Sequence, residues 1–425
     1  MNKINSVLKE TLKEIIPSKE TETYMSDEIK VFLEKINKRI NKTKIKVEPF
    51  VGGSFAKKTL VKKGSYDVDL FLRFDKKYKE KDLTKLTKKL LKGIKKVSIV
   101  HGSRDYFQVN INPWFFIEVV PVIKVNNPKD SKNITDLSYS HVKYINKKIK
   151  SQKILDEIKL AKAFCSANET YGAESYVNGF SGYGIELLVY SYKSFEKFLK
   201  ELSKKRKEKL IIDIEKDYKN SKEILFELNG SKLISPIILI DPTFKERNVL
   251  AALNEETFEK FKESAKAFLK RPSIGFFKKR QISLDELKEN SKKEGNEFVL
   301  VLSKTKKQKG DIAGTKLLKF HKHLKKEIEK SFNVIDFGFK YGDKQEGKSY
   351  FIVKKKDYLL FSGPKEVDKN SVEKFKKEHN KTYLEKGRVF AKEKIEETIK
   401  SFMKKWTIKN KKKIKQMYVS KLKII

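Results

Sequence analysis

Three carboxylates and a glycine–serine pair are the residues in this sequence best suited to chemistry. Asp67 and Asp69 lie two positions apart in an apolar run, and Glu118 is the lone charge in a second apolar run. Neighbouring carboxylates repel one another unless a cation lies between them, and Mg²⁺ prefers oxygen ligands of this kind. Together with the Gly-Ser pair at 53–54, they predict a two-metal site for phosphoryl or nucleotidyl transfer.

The Gly-Ser pair follows an apolar stretch at 45–51 and precedes the two aspartates. Ser54 is predicted to be the N-cap of a short helix over 55–60. A helix N-terminus offers free backbone N–H groups and the positive end of the helix dipole, both of which suit phosphate. The order along the chain is therefore strand, phosphate-binding turn, loop and metal-binding strand.

The aspartates depend on a strand for their position. Apolar residues take every second place from 68 to 74, which predicts a strand over 66–74 with one face in a core. Asp67 and Asp69 then share the opposite face. A D-x-D pattern alone more often marks a solvated strand edge, and Glu118 could simply pair with a lysine, so the metal site rests on the three carboxylates together.

Periodicity predicts the remaining elements. Strands are predicted near 45–51, 97–101, 105–111 and 115–123, with strand-like residues again from about 296 and a hairpin at 333–341 and 349–355. Helices are predicted over 4–41 (interrupted near Pro17), 82–95, 138–149, 153–168, 179–202, 254–270 and 313–331, followed by basic helices to the end.

Composition limits the class of protein. The 425 residues carry a formal net charge of +42, which favours polyanionic partners and nucleic acid above all. Nearly all of the basic residues are lysine, however, and an AT-rich genome produces the same bias, so the charge alone names no partner. Cys165 is the only cysteine, which excludes an intramolecular disulfide. With no membrane-length apolar run and no signal peptide, a cytoplasmic protein is expected.

Several motifs in a fixed order resemble a known family. The order Gly-Ser, Asp-x-Asp and Glu-Val-Val-Pro resembles the DNA polymerase β-like nucleotidyltransferase superfamily. Four later segments make the sequence similar to the archaeal, class I CCA-adding enzymes, which are tRNA nucleotidyltransferases. The segments are DEIKLAK at 156–162, YGAE with GFSGYGIELL at 171–188, DPT with RNV at 241–249, and RPSIGFF at 271–277.

The resemblance implies a multidomain α+β fold. A nucleotidyltransferase catalytic head with a mixed β-sheet and flanking helices would occupy residues 1–137. A helical middle domain that binds nucleotide and RNA would follow over 138–277. A basic α+β region that binds tRNA would occupy 278–425, and family behaviour implies that it reads the shape and backbone of the acceptor and T arms. Relatives also imply a homodimer.

The resemblance implies metal ligands at the carboxylates found above. Asp67, Asp69 and Glu118 would be the catalytic residues and would hold two Mg²⁺ ions. The sequence departs from the family pattern at two of its positions. Glu118 stands where the family usually has Asp, and Asn178 stands where Arg is expected. These two departures bear on the rate of the reaction more than on its type.

The nucleotide site is likewise implied by position in the motifs. Gly53 and Ser54 would hold the β- and γ-phosphates, Lys162 and Tyr171 would contact the triphosphate, and Arg247 would face the base edge. By residue type alone, the lysine would be solvated and the tyrosine would lie in a core. Two further residues would lie near the phosphates and the sugar: Ser138 and His141.

The predicted function is template-independent addition of C, C and A to the 3′ end of tRNA from CTP and ATP, with release of pyrophosphate. One alternative is another enzyme of the superfamily, such as a poly(A) polymerase or an oligoadenylate-type synthetase. The other is a non-catalytic RNA-binding protein on the same scaffold. Nucleotide choice and product length separate the first alternative from the prediction, and loss of incorporation in an Asp69 variant argues against the second.

Overall fold

The structure is a computed structural model that describes residues 3–100, 104–131, 133–279, 283–306, 310–342, 345–379, 381–394 and 396–425. The chain divides into two compact units, residues 1–280 and 281–425, and both contain helices and strands. The predicted multidomain α+β fold is therefore confirmed, while the division into three domains stays a prediction. None of the helices in these ranges is both long enough and apolar enough to cross a membrane.

The first unit begins with two helices and a five-stranded sheet, here called the head sheet. In chain order the elements are α1 (Lys3–Ile15), α2 (Lys19–Thr43), β1 (Val47–Val51), α3 (Gly53–Ala56), β2 (Tyr66–Phe74), α4 (Glu80–Leu90), β3 (Val97–Val100), β4 (Tyr106–Asn112) and β5 (Phe115–Ile123). The strand order is β1-β2-β5-β4-β3. Neighbouring strands are antiparallel except β2 and β5, which are parallel.

One face of the head sheet is buried against helices. Val68, Leu70 and Leu72 of β2 lie in one hydrophobic core with Phe32 of α2 and Leu83 of α4. Because side chains alternate along a strand, the residues between them lie on the other face. The predicted bounds of β2 and β5 agree with the structure, and the aspartates of β2 are thereby directed away from the core.

The second part of the first unit is mainly helical. Its elements are α5 (Ser138–Lys148), α6 (Gln152–Ala167), α7 (Gly182–Tyr192), α8 (Phe195–Leu202), β6 (Leu210–Ile212), α9 (Ser221–Glu227), β7 (Ile237–Asp241), β8 (Phe244–Asn248) and α10 (Glu255–Lys270). The prediction of a single helix over 179–202 was wrong. Lys193 takes a left-handed conformation (φ 65°) that ends α7, and the Ser194 side chain then caps α8.

The described residues of the second unit form two sheets. Its elements are α11 (Leu284–Lys293), β9 (Glu297–Lys304), α12 (Gly310–Ile328), β10 (Phe332–Gly342), β11 (Glu346–Lys355), β12 (Tyr358–Lys365), α13 (Lys369–Glu378), β13 (Thr382–Glu385), β14 (Arg388–Lys394), α14 (Ile399–Lys409), α15 (Lys411–Gln416) and β15 (Lys421–Ile424). The strand orders are β10-β11-β9-β15 and β12-β14-β13.

The prediction that only basic helices follow the hairpin at 333–341 and 349–355 was wrong, because the part of the chain that the structure describes has four strands beyond it. In β14, Val389 and Ala391 are buried and the residues between and beside them are not. This alternation is the mark of a strand with one buried face. Lysines are frequent in and around these short strands. They interrupt the alternation of apolar and polar residues, which is the pattern by which a strand is recognised in a sequence.

Candidate active site

The three predicted carboxylates lie on one face of the head sheet. Asp69 of β2 is the register partner of Glu118 of β5, and Asp67 lies two residues earlier on the same face of β2. Register partners on adjacent strands direct their side chains to the same side of a sheet. The parallel pairing of β2 with β5 therefore places the three carboxylates next to one another on the face opposite the core.

Burial and mutual repulsion make these carboxylates difficult to ionise. Burial, followed by the negative charge of Asp67, raises the pKa of Asp69 to about 6. Burial and the charges of Asp69 and Asp67 raise the pKa of Glu118 to about 8. Burial and Glu118 also raise the pKa of the nearby Tyr106 hydroxyl to about 12. The site thus has an excess of negative charge, which a bound cation would relieve.

The donor set fits a hard divalent cation, because all three candidate ligands are carboxylates. Asp67 forms an ion pair with a lysine, since its Oδ1 lies 3.0 Å from Lys63 Nζ. Within the described ranges, no three His, Cys, Asp or Glu side chains are grouped closely enough to hold a metal ion in their present positions. The three carboxylates thus supply the ligand type that such an ion prefers, and their side chains would have to move closer together to hold it.

The Gly-Ser turn packs directly against Asp69. The Gly52 N–H donates to the Asp69 carbonyl oxygen at 2.8 Å. Gly53 has a φ of +63°, and a β-carbon there would lie 1.7 Å from Asp69 Oδ2. The prediction that Ser54 caps a helix over 55–60 was wrong, since α3 is a single turn that starts at Gly53. The left-handed conformation of Gly53 lets the chain turn before Ser54 is reached.

A Gly53→Ala substitution is expected to lower nucleotide incorporation about 100-fold, because the added methyl group must displace Asp69 and a shift near ~1 Å has that effect. Steady-state incorporation kinetics measure the change. Gly64→Ala is the matched control in the same connection, since a β-carbon there would have no atom within 4 Å. Equal rates for the two variants would contradict the close packing of the turn on Asp69.

Asp241 gathers a second group of side chains. Its Oδ2 lies 3.0 Å from His141 Nε2 and accepts from Arg247 Nη1 at 2.6 Å. Its Oδ1 accepts from Tyr183 Oη at 3.3 Å and from the Thr243 N–H at 2.9 Å. The aspartate thus connects α5, α7 and β8 through the turn between β7 and β8. Two of the predicted nucleotide-binding residues, His141 and Arg247, are brought together in this way.

Asp241 stays ionised although it is buried. Burial opposes its ionisation, but the His141 hydrogen bond and the Arg247 charge outweigh burial and hold the pKa well below its ordinary value. Burial lowers the pKa of His141, which stacks on Tyr183 with 4.0 Å between ring centroids. A neutral imidazole that donates from Nε2 to Asp241 fits this arrangement.

A third group surrounds Glu186, which is completely buried in α7. Its Oε1 lies 2.6 Å from Lys162 Nζ and accepts from Thr59 Oγ1 at 2.8 Å. Its Oε2 lies 2.7 Å from Lys57 Nζ. Burial raises the pKa of Glu186, but the two lysines outweigh it and lower that pKa to about 2. Lys162 is thus a buried lysine and not a solvated one.

The two remaining predicted residues lie on different elements. Tyr171 follows α6 and is 37% exposed. It therefore does not lie in a core, which is where a tyrosine would be expected from its residue type alone. Its hydroxyl would lie 2.8 Å from a β-carbon at Gly182, and Lys162 Cε would lie 4.0 Å from the same point. Ser138 is half-buried at the start of α5, where its N–H bonds to the Thr135 carbonyl.

Four residues of these groups were not among the predicted site residues: Glu186, Asp241, Lys57 and Thr59. A signal for the first two was present. Glu186 is the lone charge in the apolar stretch at 182–190, and Asp241 ends the apolar run at 237–240. The same pattern selected Glu118. Lys57 and Thr59 have no comparable signal, because their partner lies more than 120 residues away in the sequence.

Comparisons with known proteins identify the family. Residues 156–278 match the family described as tRNA nucleotidyltransferase, second domain. The CCA-adding enzyme of Methanocaldococcus jannaschii is 30% identical over 400 residues, which cover 91% of this chain and 87% of that protein. The chain belongs to the archaeal-type CCA-adding enzymes. The CCA-adding enzyme of Nanoarchaeum equitans is 39% identical over 251 residues, but the match spans only 61% of that relative and 59% of this chain.

Solved structures agree with this assignment at the level of the fold. The Cid1 poly(U) polymerase superposes with a TM-score of 0.51 at 13% sequence identity. The match covers 66% of this chain and 99% of the polymerase. At this identity the likeness shows a shared fold alone. The assignment of this chain to the CCA-adding family therefore rests on the sequence relatives.

Proposed function

We propose that this chain adds C, C and A in turn to the 3′ end of tRNA, from CTP and ATP and without a template. The single observation that best supports the chemistry is the register of Asp69 with Glu118 beside the Gly53 turn. This arrangement places candidate metal ligands next to the Gly53–Ser54 turn, which is the candidate phosphate-binding site. Membership of the family indicates the reaction, and the geometry of the site indicates which residues would carry it out.

Asp67, Asp69 and Glu118 are the proposed ligands of two Mg²⁺ ions. When bound, such ions lower the pKa of the tRNA 3′-hydroxyl and stabilise the leaving pyrophosphate. The role of the chain is to hold the carboxylates at fixed positions. The parallel hydrogen-bonded pairing of β2 with β5 does this. The Gly53 turn fixes Asp69 from the other side, since its backbone is in contact with that side chain.

The nucleotide is proposed to lie between the Gly-Ser turn and the helices of the middle region. Gly53 and Ser54 would hold the β- and γ-phosphates, and Lys162 with Tyr171 would contact the triphosphate. Arg247 would face the base edge, fixed in orientation by its hydrogen bond to Asp241. The two residues proposed to lie near the phosphates and the sugar are Ser138 and His141.

The second unit carries a surface suited to RNA. On one face of the sheet β12-β14-β13, Tyr358, Leu360 and Tyr383 are 49%, 62% and 40% exposed. Lys392 Nζ lies 4.4 Å from the centre of the Tyr358 ring, and Tyr383 stacks on Phe390. Aromatic rings beside lysines suit RNA, because rings stack on bases and lysines contact phosphates. We name these five residues the aromatic–lysine face.

A cleft adjoins the aromatic–lysine face. It has a volume of about 560 Å³, and most of its lining is basic or polar. Its lining residues are Asn333, Lys354, Lys355, Lys356, Asp357, Tyr358, Leu360 and Lys392. The lysine ammonium groups would contact the phosphate backbone, which positions the RNA without reading its sequence. We propose that this part of the second unit binds the acceptor and T arms of tRNA.

A Tyr358→Ala substitution is expected to raise the Kd for tRNA about tenfold, because a ring that stacks on a base contributes roughly 1–3 kcal/mol. Binding titrations at fixed salt measure the change, and kcat at saturating tRNA should stay the same. Tyr418→Ala is the matched control, since Tyr418 is 40% exposed and also lies under a lysine, Lys316. An equal loss of affinity in both variants would argue against a specific role of the face.

We also propose a homodimer that acts in the cytoplasm. The oligomer is the state that the resemblance to relatives implies. The cytoplasmic location is proposed because the proposed substrate, tRNA, is used there in translation. Sedimentation at several protein concentrations measures the oligomeric state, and a mass that stays at that of one chain would exclude the dimer.

Nucleotide incorporation into tRNA that ends just before CCA tests the proposed function. CTP alone, ATP alone and both nucleotides are compared with Mg²⁺ on a sequencing gel. Two additions from CTP, followed by one A that ends the product, are expected. Open-ended addition of A would indicate a poly(A) polymerase instead. Tight, salt-sensitive tRNA binding without any addition would indicate the non-catalytic alternative.

A further inference from the structure

The four-stranded sheet of the second unit has two different faces. Its elements follow one another as β9, α12, β10 and β11, and then, after the other sheet, α14 and β15. All neighbouring strands are antiparallel, and β9 and β11 are the two central strands. Both helices pack on one face, since Phe320 of α12 and Met403 of α14 share a core with Val301 of β9. The residues that alternate with this core lie on the opposite face.

The centre of the opposite face is apolar and aromatic. Leu300 of β9 is the register partner of Tyr350 of β11, and Phe298 is the partner of Ile352. Phe298 and Tyr350 are half-buried, and their rings are nearly parallel, with 14° between the planes and 6.4 Å between the centroids. An aromatic pair therefore lies across the two central strands. We name the apolar residues of this face the open face: Phe298, Leu300, Leu302, Tyr350 and Ile352.

The Tyr350 ring is fixed in place by β10. Gly338 is the register partner of Tyr350, and a β-carbon there would lie 2.3 Å from Tyr350 Cε1, so the ring lies over the glycine. The Tyr350 hydroxyl donates to Asp336 Oδ2 at 3.2 Å. A ring that is already held in one orientation loses little conformational freedom when a ligand stacks on it.

Lysines surround the open face. Among the described residues, register and side-chain alternation place six exposed lysines and two acidic side chains on this side of the sheet. The lysines are Lys304, Lys340, Lys348, Lys354, Lys421 and Lys423, and the acidic residues are Asp336 and Glu346. An aromatic surface within an excess of positive charge is complementary to a nucleic acid strand, because bases stack on rings and phosphates attract lysines.

The arrangement suits unpaired nucleotides better than a duplex. In a duplex the bases stack on one another, whereas unpaired bases can spread out and stack on aromatic side chains. Four-stranded sheets that carry aromatic residues on their central strands bind two or three unpaired RNA bases in this way. The duplex arms of tRNA, which are proposed to lie on the aromatic–lysine face, present no free base faces to Phe298 and Tyr350.

We propose that the open face binds a single-stranded RNA that is separate from the tRNA substrate. Phe298 and Tyr350 each stack on one base, and the surrounding lysines contact the phosphates. This inference goes beyond the proposed function and does not depend on the reaction at the carboxylates of the head sheet.

Fluorescence anisotropy of a labelled single-stranded RNA of about eight nucleotides, titrated with the full chain, tests the inference. Tyr350→Ala is expected to raise the Kd for this RNA about tenfold, because one base loses the ring on which it stacks. The Kd for tRNA that ends before CCA should not change. An unchanged Kd for the short RNA would overturn the inference, and so would an equal loss of affinity for tRNA.

Lys348→Ala is the second variant, in case Tyr350→Ala does not fold. Lys348 is exposed beside the open face, so its free energy of unfolding in urea should equal that of the wild type. Loss of one phosphate contact should reduce the slope of log Kd against log salt concentration by about 0.7 for single-stranded RNA. A slope equal to that of the wild type would overturn the inference.

Phe337→Ala is the matched control. Phe337 is 40% exposed, and Lys325 Nζ lies 3.9 Å from the centre of its ring. Its register partner is Phe351, which belongs to the core, so Phe337 lies on the face that α12 covers. The Kd for the short RNA should stay at the wild-type value. Equal losses in Phe337→Ala and Tyr350→Ala would mean that any exposed ring beside a lysine binds this RNA, which would overturn the assignment to the open face.

Discussion

An Asp69→Ala variant should incorporate nucleotides at least about 1,000-fold more slowly than the wild type, and its affinity for tRNA should be unchanged. Asp69 is the central carboxylate of the site, since it lies in register with Glu118 and in contact with the Gly53 turn. Its removal deletes one of the three proposed metal ligands. Loss of one preorganised group that stabilises the transition state already reduces rates about 10²- to 10³-fold.

Single-turnover extension of tRNA that ends before CCA, with tRNA saturating, measures this effect. Asp75→Asn is the matched control, because Asp75 follows the other end of β2 and accepts the Lys77 N–H in a turn. That variant should extend tRNA at the wild-type rate. Asp69 would be excluded as a metal ligand if its alanine variant extended tRNA at a rate within tenfold of the wild type.

The second large effect is expected at Asp241, where alanine should lower the free energy of unfolding by about 3–5 kcal/mol. The substitution removes the shared acceptor of His141, Arg247 and Tyr183, and it leaves the Arg247 charge without its partner. Incorporation should fall as well, because Arg247 loses the hydrogen bond that orients it toward the base. Urea unfolding and incorporation kinetics, measured on the same preparation, report both effects.

The stability effect of Asp241 should depend on pH in one direction. The folded protein holds the pKa of Asp241 below its ordinary value, so the ionised form is the one that the fold stabilises. The difference in unfolding free energy between wild type and Asp241→Ala should therefore be constant above about pH 4 and shrink as the pH falls further. A difference that grows on acidification would contradict this assignment.

Asp213→Ala is the matched control for Asp241. Asp213 is half-buried in the same region and accepts the Tyr218 N–H at 3.0 Å, and among the described residues it forms no ion pair. Its loss should cost about 1 kcal/mol, the usual contribution of one hydrogen bond. Equal destabilisation by the two alanine variants would mean that the contacts of Asp241 with His141 and Arg247 contribute little.

Local patterns in the sequence were sufficient to locate β2 and β5, the strands that carry the candidate metal ligands. The period of two located β2, a nearly continuous apolar run located β5, and the lone charge in that run selected Glu118. Both signals arise from neighbours along the strand and the burial of one face. The parallel pairing that sets Asp69 against Glu118 is a long-range property, so the family resemblance indicates it while the local pattern carries no information about it.

Other features could not be predicted because their causes are local conformations or distant partners. The start of α3 depends on the positive φ of Gly53, and the break after α7 depends on the left-handed Lys193. A non-glycine residue in that conformation leaves no reliable mark in the sequence. Thr59 gains its place in the site through Glu186 of α7 and Lys162 of α6, both more than 100 residues away in the sequence.

The bonds that complete the site also bear on how the protein folds during synthesis. Lys57 meets Glu186 across 129 residues, and His141 meets Asp241 across 100. Contacts between such distant positions form late, since the long intervening loop must close first. A ribosome that has released only the head strands therefore exposes a partial site, with lysines that lack their carboxylate. We expect nucleotide affinity to arise only after α7 has emerged, so nascent chains would not compete with finished enzyme for CTP and ATP.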